Sequence, residues 1–312
     1  IASQIVGPLG RVVGIDMNDD MLSVARRNAP EVARRVGYAN VDFRKGKIQD
    51  LALDLDALEL WLNAHPVRTS GDFTAMEAYI EDLRATRPLV ASESIDVAVS
   101  NCVLNLVKSS AKDTLFREIY RVLRRGGRAV ISDIVSDEDV PLHLQQNPEL
   151  WSGCISGALR EDKFLEAFEA AGFYGISIVA RQEAPWRTVE GIEFRSITVA
   201  AYKGKEGACW DHKHAVIYKG PFKQVVDDDG HVLRRGARVA VCEKTFSIYS
   251  REPYASHFER VEPLAQVSES EVKAFPCAKG MLLRDPRETK GRDYHLTTGP
   301  QPSACGTDGG CC

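Results

Sequence analysis

Two cysteines stand where the sequence predicts ligand-binding loops. Cys102 follows residues 95–100, an apolar run that predicts a buried strand, and open α/β sheets bind ligands beyond the carboxyl ends of their strands. Cys154 lies in a loop of small residues ahead of a predicted helix. Thiolates bind soft metals and metalloids, whereas a cysteine on its own is more often a small buried hydrophobe. The eight cysteines, at 102, 154, 209, 242, 277, 305, 311 and 312, show no disulfide-framework spacing in the first 200 residues and are expected to be reduced.

Asp16 is a candidate for binding a cofactor. Residues 11–16 predict a buried strand, and residues 18–35 predict a helix capped by Asn18. In an open α/β sheet, an acidic residue at a strand end can accept hydrogen bonds from both ribose hydroxyls of a nucleoside cofactor. An aspartate ahead of a helix is also a common cap, so both interpretations of Asp16 remain open at this point.

Strands and helices alternate through residues 1–203. This alternation predicts an α/β domain with a doubly wound, mostly parallel, Rossmann-like sheet. Residues 51–89 predict an insertion with two helices, and the glycines at 126 and 127 predict a helix end. The predicted strands are 11–16, 41–44, 95–100, 128–134, 175–181 and 194–202, and the predicted helices are 1–6, 18–35, 112–125 and 161–171.

From about residue 204 the pattern changes to short strands. Those at 216–218, 223–226, 239–242 and 245–249 predict a small antiparallel α+β appendage over 204–262, with a turn at 227–230. Residues 263–312 are polar, contain proline and glycine, and predict an extended, cysteine-containing tail.

Charge and hydropathy exclude some classes of partner. The net charge of -4 and the isoelectric point near 6.0 give no electrostatic reason to expect a nucleic-acid partner. No apolar run reaches the length of a membrane span, and no secretory leader is recognisable. We therefore expect a monomeric cytoplasmic protein that acts on a small molecule and binds neither nucleic acid nor membrane.

Four short stretches lie in order around the predicted strands: 16–17, 46–49, 101–103 and 123–127. This series resembles the class I S-adenosylmethionine-dependent methyltransferases, and LRRGGRAVISD (123–133) is similar to their turn before the fifth strand. The resemblance implies that Asp16 contacts the ribose and that Met17 and Ile48 pack on the adenine. The implied cofactor contacts are completed by Lys47, Gln49, Asn101, Cys102 and Val103.

The segments around the two cysteines resemble one particular family within this class. SNCVLNL (100–106) and LWSGCISGAL (150–159) are similar to the two thiol motifs of arsenite methyltransferases. LNAHPVR (62–68) and AYKGKEG (201–207) resemble the bacterial branch linked to arsenosugar synthesis. The resemblance implies that Cys102 and Cys154 are catalytic and hold trivalent arsenic, with a third thiolate upstream of Ile1.

The resemblance also implies a mechanism. The lone pair of arsenic displaces S-adenosylhomocysteine from the methyl carbon, so no general base is required. A thiol reductant, glutathione or thioredoxin, is the implied co-substrate. The first strand of the fold and its glycine-rich loop are expected upstream of Ile1, and residues 1–312 alone are therefore expected to bind S-adenosylmethionine weakly.

Other interpretations remain open from sequence. One is a methyltransferase of a carbon or oxygen acceptor, which needs a general base, and His143 is the histidine nearest the candidate loops. Another is a thiol-based metalloid-binding protein without catalysis. Zinc binding by Cys209, His212, His214 and Cys242 is disfavoured, because their spacing matches no standard zinc pattern. The tail cysteines at 305, 311 and 312 are either adventitious thiols or thiols that capture arsenite, pass it inward or reduce a disulfide formed during turnover.

Overall fold

The computed structural model describes residues 1–277, 279–291 and 294–299. The chain divides into two compact units, Ile1–Gly204 and the part from Lys205 onward. Cys305, Cys311 and Cys312 lie outside the described residues. No helix of the described part is both long and apolar enough to span a bilayer.

The first unit alternates strands with helices, as the sequence predicts. Residues 51–89 form an insertion with two helices, also as predicted. In chain order the elements are α1 (Ala2–Val6), β1 (Val12–Asp16), α2 (Asp19–Val36), β2 (Val41–Lys45), α3 (Leu55–Ala64), α4 (Ser70–Thr86), β3 (Ile95–Asn101), α5 (Lys112–Val122), β4 (Leu123–Ser136), α6 (Leu142–Gln145), α7 (Pro148–Ser152), β5 (Leu159–Arg160), α8 (Glu161–Ala170), β6 (Tyr174–Arg181), β7 (Arg187–Val189) and β8 (Ile192–Tyr202).

The strands of this unit form two sheets. β1 and β2 pair in parallel, and β3, β4, β8 and β6 follow one another in a larger sheet that also includes β5 and β7. β3 and β5 are parallel to β4, whereas β8 is antiparallel to both β4 and β6. Because β1, β3 and β4 are each followed by a loop at their carboxyl ends, these loops are where ligand-binding residues are expected.

Helix α2 shows how local sequence sets an element. The Asn18 side chain accepts hydrogen bonds from Asp20 N and Met21 N, so it is the predicted cap. Asp19 and Asp20 lie in the first turn, where their charges oppose the positive end of the helix dipole. Gly37 ends the helix with a φ of 88°, a left-handed conformation that glycine adopts without strain.

The predicted glycine cap of α5 is wrong. The helix ends at Val122, and β4 begins at Leu123, which pairs with Ile95 of β3 and has no solvent exposure. Burial of Leu123 in the sheet ends the helix before Gly126 is reached. Gly127 is required for a different reason: a Cβ there would lie 3.0 Å from Asp96 O and 2.9 Å from Arg124 O.

The second unit is a set of small antiparallel sheets. Its elements are β9 (Trp210–Asp211), β10 (Ala215–Tyr218), β11 (Gln224–Val226), β12 (Val232–Arg234), β13 (Arg238–Ala240), α9 (Glu243–Tyr249), β14 (Phe258–Val261), β15 (Lys273–Ala274) and α10 (Pro286–Lys290). β10 lies between β13 and β14, β11 pairs with β12 across the predicted turn, and β15 pairs with β9.

Two expectations for the second unit differ from the structure. Residues 245–249, predicted as a strand, form helix α9, because Cys242 caps its first turn and Phe246 and Ile248 are buried along it. The stretch after 263, predicted as an extended tail, contributes β15 and α10 and the buried Phe275. In both cases tertiary packing decides the local conformation.

Aromatic packing between α5 and α8 holds the helices on the larger sheet. Phe168 is fully buried, and its ring lies 4.8 Å from that of Phe116 and 5.6 Å from that of Phe173, both edge-on.

We expect Phe168→Ala to lower the free energy of unfolding by about 3–5 kcal/mol, because it opens a cavity in this aromatic cluster. Urea denaturation measures the change. Phe73→Ala, at a side chain that is 47% exposed, is the control and should cost less than about 1 kcal/mol; equal losses would contradict the packing argument.

Candidate active site

Asp16 is the last residue of β1, and one of its two carboxylate oxygens accepts a hydrogen bond. Asn18 N donates to Asp16 Oδ1 at 2.9 Å, and Gly46 N donates to the Asp16 carbonyl oxygen at 2.9 Å. Within the described residues the other carboxylate oxygen has no hydrogen-bond donor. Met17, the next residue, is 60% exposed. Asp16 therefore both orders the start of α2 and offers an acceptor beyond the strand end.

The other residues predicted to bind the cofactor fall into two groups. Lys47, Ile48 and Gln49 follow β2 in a tight turn, with Lys47 exposed and Ile48 packed against the core beneath the larger sheet. Asn101 ends β3 and is exposed, as is Val103. Gly46, which precedes Lys47, donates its backbone N–H to the Asp16 carbonyl oxygen and so holds the turn at 47–49 next to Asp16. Asn101 and Val103 flank Cys102 in sequence.

Cys102 lies directly beyond β3 in a strained backbone conformation. Its φ is 54°, in the left-handed region that non-glycine residues rarely adopt. Its N–H donates to Ser132 O of β4 at 2.9 Å, which continues the parallel pairing by one residue. Strain of this kind persists where the surrounding structure fixes it, and it is often found at functional sites.

Cys154 shares this conformation and approaches Cys102. Its φ is 59°, and its Sγ lies 3.6 Å from the Cys102 carbonyl oxygen, although the two residues are 52 positions apart in sequence. Both side chains are half-buried. The structure thus brings together the two cysteine residues that the sequence singles out.

A buried polar network joins the two cysteine loops. Asn105 donates from one amide group to Ile134 O at 2.6 Å and to Cys154 O at 3.0 Å. Lys112 Nζ lies 3.4 Å from Asn105 Oδ1 and also donates to Gly157 O. Asp133, only 1% exposed, accepts from Leu104 N at 2.9 Å and from Ile134 N at 2.8 Å.

The electrostatics of this network act on both thiols. Burial, and then the Asp133 carboxylate, raise the pKa of Cys102. Burial, Asp133 and Cys102 raise the pKa of Cys154. Burial also raises the pKa of Asp133, against the effect of its backbone hydrogen bonds and of the Lys112 charge. Burial lowers the pKa of Lys112 to about 8. Both thiols are therefore mainly protonated at neutral pH.

The arrangement suits a thiophilic atom better than proton transfer. Two half-buried thiols on strained loops can bind a soft centre beyond the ends of β3 and β4. His143, the sequence candidate for a general base, is 61% exposed and its Nε2 lies 2.8 Å from Glu190 Oε2. Asn105, Lys112 and Asp133 were missed from sequence, although a charged Asp133 inside an apolar strand was a visible signal.

Comparison with known proteins identifies the class. Residues 1–76 and 63–172 match the family described as a methyltransferase domain, and residues 205–294 match a domain of unknown function. The structure of an arsenic(III) S-adenosylmethionine methyltransferase from Chlamydomonas reinhardtii shares the fold, with a TM-score of 0.53 and 24% identity over 86% of this chain and 82% of that chain. The fold and the strand-end site define a class I S-adenosylmethionine-dependent methyltransferase.

Sequence relatives identify the family. An arsenite methyltransferase of Aquipseudomonas alcaligenes is 32% identical over 83% of this chain and 68% of its own length. The arsenite methyltransferase of Mus musculus is 27% identical over 100% of this chain and 75% of its own length. The chain belongs to the arsenite methyltransferase family.

A substitution at Gly157 tests how closely its loop approaches the loop that contains Asn105. A Cβ at Gly157 would lie 2.0 Å from Asn105 O, a backbone atom that cannot swing aside. We expect Gly157→Ala to lower the free energy of unfolding by about 1–3 kcal/mol through overpacking, measured by urea denaturation. Gly153→Ala is the matched control in the same loop, because its Cβ would meet nothing closer than 3.6 Å. Equal stabilities of the two variants would refute the close approach.

The effect of Asp133 on the thiols is measurable by alkylation. Iodoacetamide reacts with the thiolate, so a raised pKa slows its reaction at neutral pH. Asp133→Asn removes a negative charge that raises the pKa of Cys102 and Cys154, and both should therefore alkylate faster at pH 7. Peptide mass spectrometry gives the rates. Glu138→Gln removes an exposed, solvent-screened carboxylate and should change neither rate; unchanged rates in Asp133→Asn would exclude the electrostatic coupling.

Proposed function

We propose that this chain methylates trivalent arsenic held by the thiols of Cys102 and Cys154. The observation behind the proposal is the meeting of two cysteine loops beyond the ends of β3 and β4, with Cys154 Sγ 3.6 Å from the Cys102 carbonyl oxygen. Arsenite is named as the substrate of the Aquipseudomonas and mouse relatives, and a soft trivalent centre prefers thiolate ligands. Site and family therefore support the same acceptor.

The residues at the end of β1 fit S-adenosylmethionine. Asp16 has a carboxylate oxygen available for ribose hydroxyls, and the exposed Met17 offers an apolar side chain for the adenine. We assign Asp16, Met17, Lys47, Ile48 and Gln49 to the nucleoside end. Asn101, Cys102 and Val103, which follow β3, are assigned to the methionine end.

The proposed reaction requires little proton transfer by the side chains of the protein. When bound, S-adenosylmethionine supplies a sulfonium-activated methyl group to the lone pair of the thiol-held arsenic. Cys102 and Cys154 orient the arsenic, and the network of Asn105, Lys112 and Asp133 keeps the two loops in register. Holding both reactants in place is the main contribution to rate in such a displacement.

Two further parts complete the proposal. A third thiolate completes the coordination of arsenic begun by Cys102 and Cys154. A thiol reductant, glutathione or thioredoxin, returns the thiols to the reduced state between turnovers. We further propose a monomer in the cytoplasm that needs neither nucleic acid nor membrane.

The test distinguishes the role of the Cys154 thiol in methylation from its role in folding stability. Cys154→Ser and Cys154→Gly are compared with wild type for transfer of labelled methyl groups to arsenite, in the longest natural polypeptide that contains this chain. Both variants should lose methylation by about a hundredfold or more, as expected when a ligand of the reacting atom is removed. Cys154→Gly should keep its melting temperature or raise it, because glycine relieves a strain on the order of 1 kcal/mol at a φ of 59°.

Lys213→Gly is the control for the relief of backbone strain. Lys213 is exposed, belongs to the second unit and has a φ of 62°. The variant should keep full methylation and gain similar stability. Methylated arsenic formed at the wild-type rate by Cys154→Gly would remove Cys154 from the reaction.

A further inference from the structure

Three cysteines of the second unit converge on one point. The sulfur atoms of Cys209, Cys242 and Cys277 all lie within 4.8 Å of one another, and all three residues are free cysteines. We call them the three-thiol cluster. They come from separate parts of the domain of unknown function, so their proximity is set by the fold and not by sequence spacing.

Backbone pairing positions two of the three. β15 runs antiparallel to β9, with Ala274 opposite Trp210. Phe275 N then donates to Cys209 O at 2.9 Å, and Cys277 N donates to Phe275 O at 2.8 Å. This turn returns Cys277 toward Cys209.

The third cysteine arrives from β13. Cys242 follows that strand and precedes α9, and its Sγ accepts from Thr245 N at 3.5 Å. It is 1% exposed and packs in a small apolar cluster with Ala240 and Phe275. Cys209 is half-buried and Cys277 is exposed. The cluster thus has a buried base and one side open to solvent, as a binding site requires.

The donor set favours a three-coordinate ligand. Structural zinc takes four protein ligands, and within the described chain no histidine or carboxylate joins these sulfurs. His214, considered from sequence for zinc, instead stacks on Phe246 at 3.9 Å, and its Nδ1 lies 2.9 Å from Glu243. Three thiols satisfy a trivalent soft centre fully, because its lone pair fills the fourth position.

We infer that the three-thiol cluster is a second arsenite-binding site, separate from Cys102 and Cys154. The choice of arsenite over other soft ions depends on the proposed function, which makes arsenite the molecule this protein handles. Binding is a condensation without electron transfer. Three S–As bonds form, three As–O bonds of arsenous acid break, and each hydroxyl leaves as water with one thiol proton.

The experiment isolates the cluster in the full chain. A background variant carries serine at 102, 154, 305, 311 and 312, so that Cys209, Cys242 and Cys277 are the remaining cysteines. Sodium arsenite is added with a phosphine reductant, bound arsenic is counted by mass spectrometry after gel filtration, and X-ray absorption counts its sulfur neighbours. We expect one arsenic per chain with three sulfur neighbours.

A substitution of Cys277 tests the proposed arsenite site without disturbing a buried residue, because Cys277 is the exposed member of the cluster. Cys277→Ser in this background should weaken arsenite binding by at least about tenfold, since one of three bonds is lost. Lys279→Ser, an exposed change in the same segment, should leave binding unchanged. In the wild-type chain, which needs no background variant to fold, arsenite should protect Cys209 and Cys277 from iodoacetamide.

Several results would overturn the inference. These are no bound arsenic, two sulfur neighbours in place of three, unprotected thiols in the wild-type chain, or one zinc ion that arsenite does not displace. The results from the background variant do not bear on methylation, because that variant lacks Cys102 and Cys154. The protection measured in the wild-type chain is read only at Cys209 and Cys277, which the proposed methylation does not use. Loss of methylation in Cys154→Ser with the cluster still binding arsenite would in turn support both sites independently.

Discussion

The side chain of Asn105 is the link on which the candidate active site depends. Its amide group donates to two carbonyl oxygens, Ile134 O in β4 and Cys154 O in the loop after α7, while its own oxygen faces Lys112. A buried amide with both donors engaged costs free energy if either partner is lost. Hydrogen bonds from Asn105 therefore help to fix the distance between the two cysteine loops, together with the apolar core to which Leu104 and Leu159 both belong. No disulfide joins Cys102 to Cys154.

The same network explains why the thiols stay protonated and yet remain ready to react. Burial of the sulfur atoms, and then the Asp133 carboxylate, disfavour a negative charge on either thiol, so thiolates do not accumulate on Cys102 or Cys154. Condensation of a thiol with arsenous acid releases water and consumes the thiol proton, so it does not require a preformed thiolate. In the proposed site, thiols that stay protonated thus resist oxidation and can still condense with arsenous acid.

Local sequence predicted those features that depend on nearby residues. Asn18 caps α2, and Cys102 follows β3, because each is governed by neighbours along the chain. The end of α5 and the helical state of residues 245–249 were predicted wrongly, since burial of Leu123 and Phe246 decides them. No local pattern marks Lys112, the first residue of a predicted helix, as buried, because its burial beside Gly157 depends on a loop 45 residues away. Cys277 was likewise not connected with Cys209, because a strand pairing joins them.

The left-handed backbone at Cys102 and Cys154 has a consequence for the history of the sequence. A change of one base turns a cysteine codon into a glycine codon, and glycine is the residue that this conformation favours. Mutation and folding stability therefore push both positions in the same direction, away from cysteine. A lineage that stopped needing the chemistry would lose its thiols early while keeping a well-folded domain. Glycine at both positions in a related gene would thus mark a descendant released from selection for the reaction.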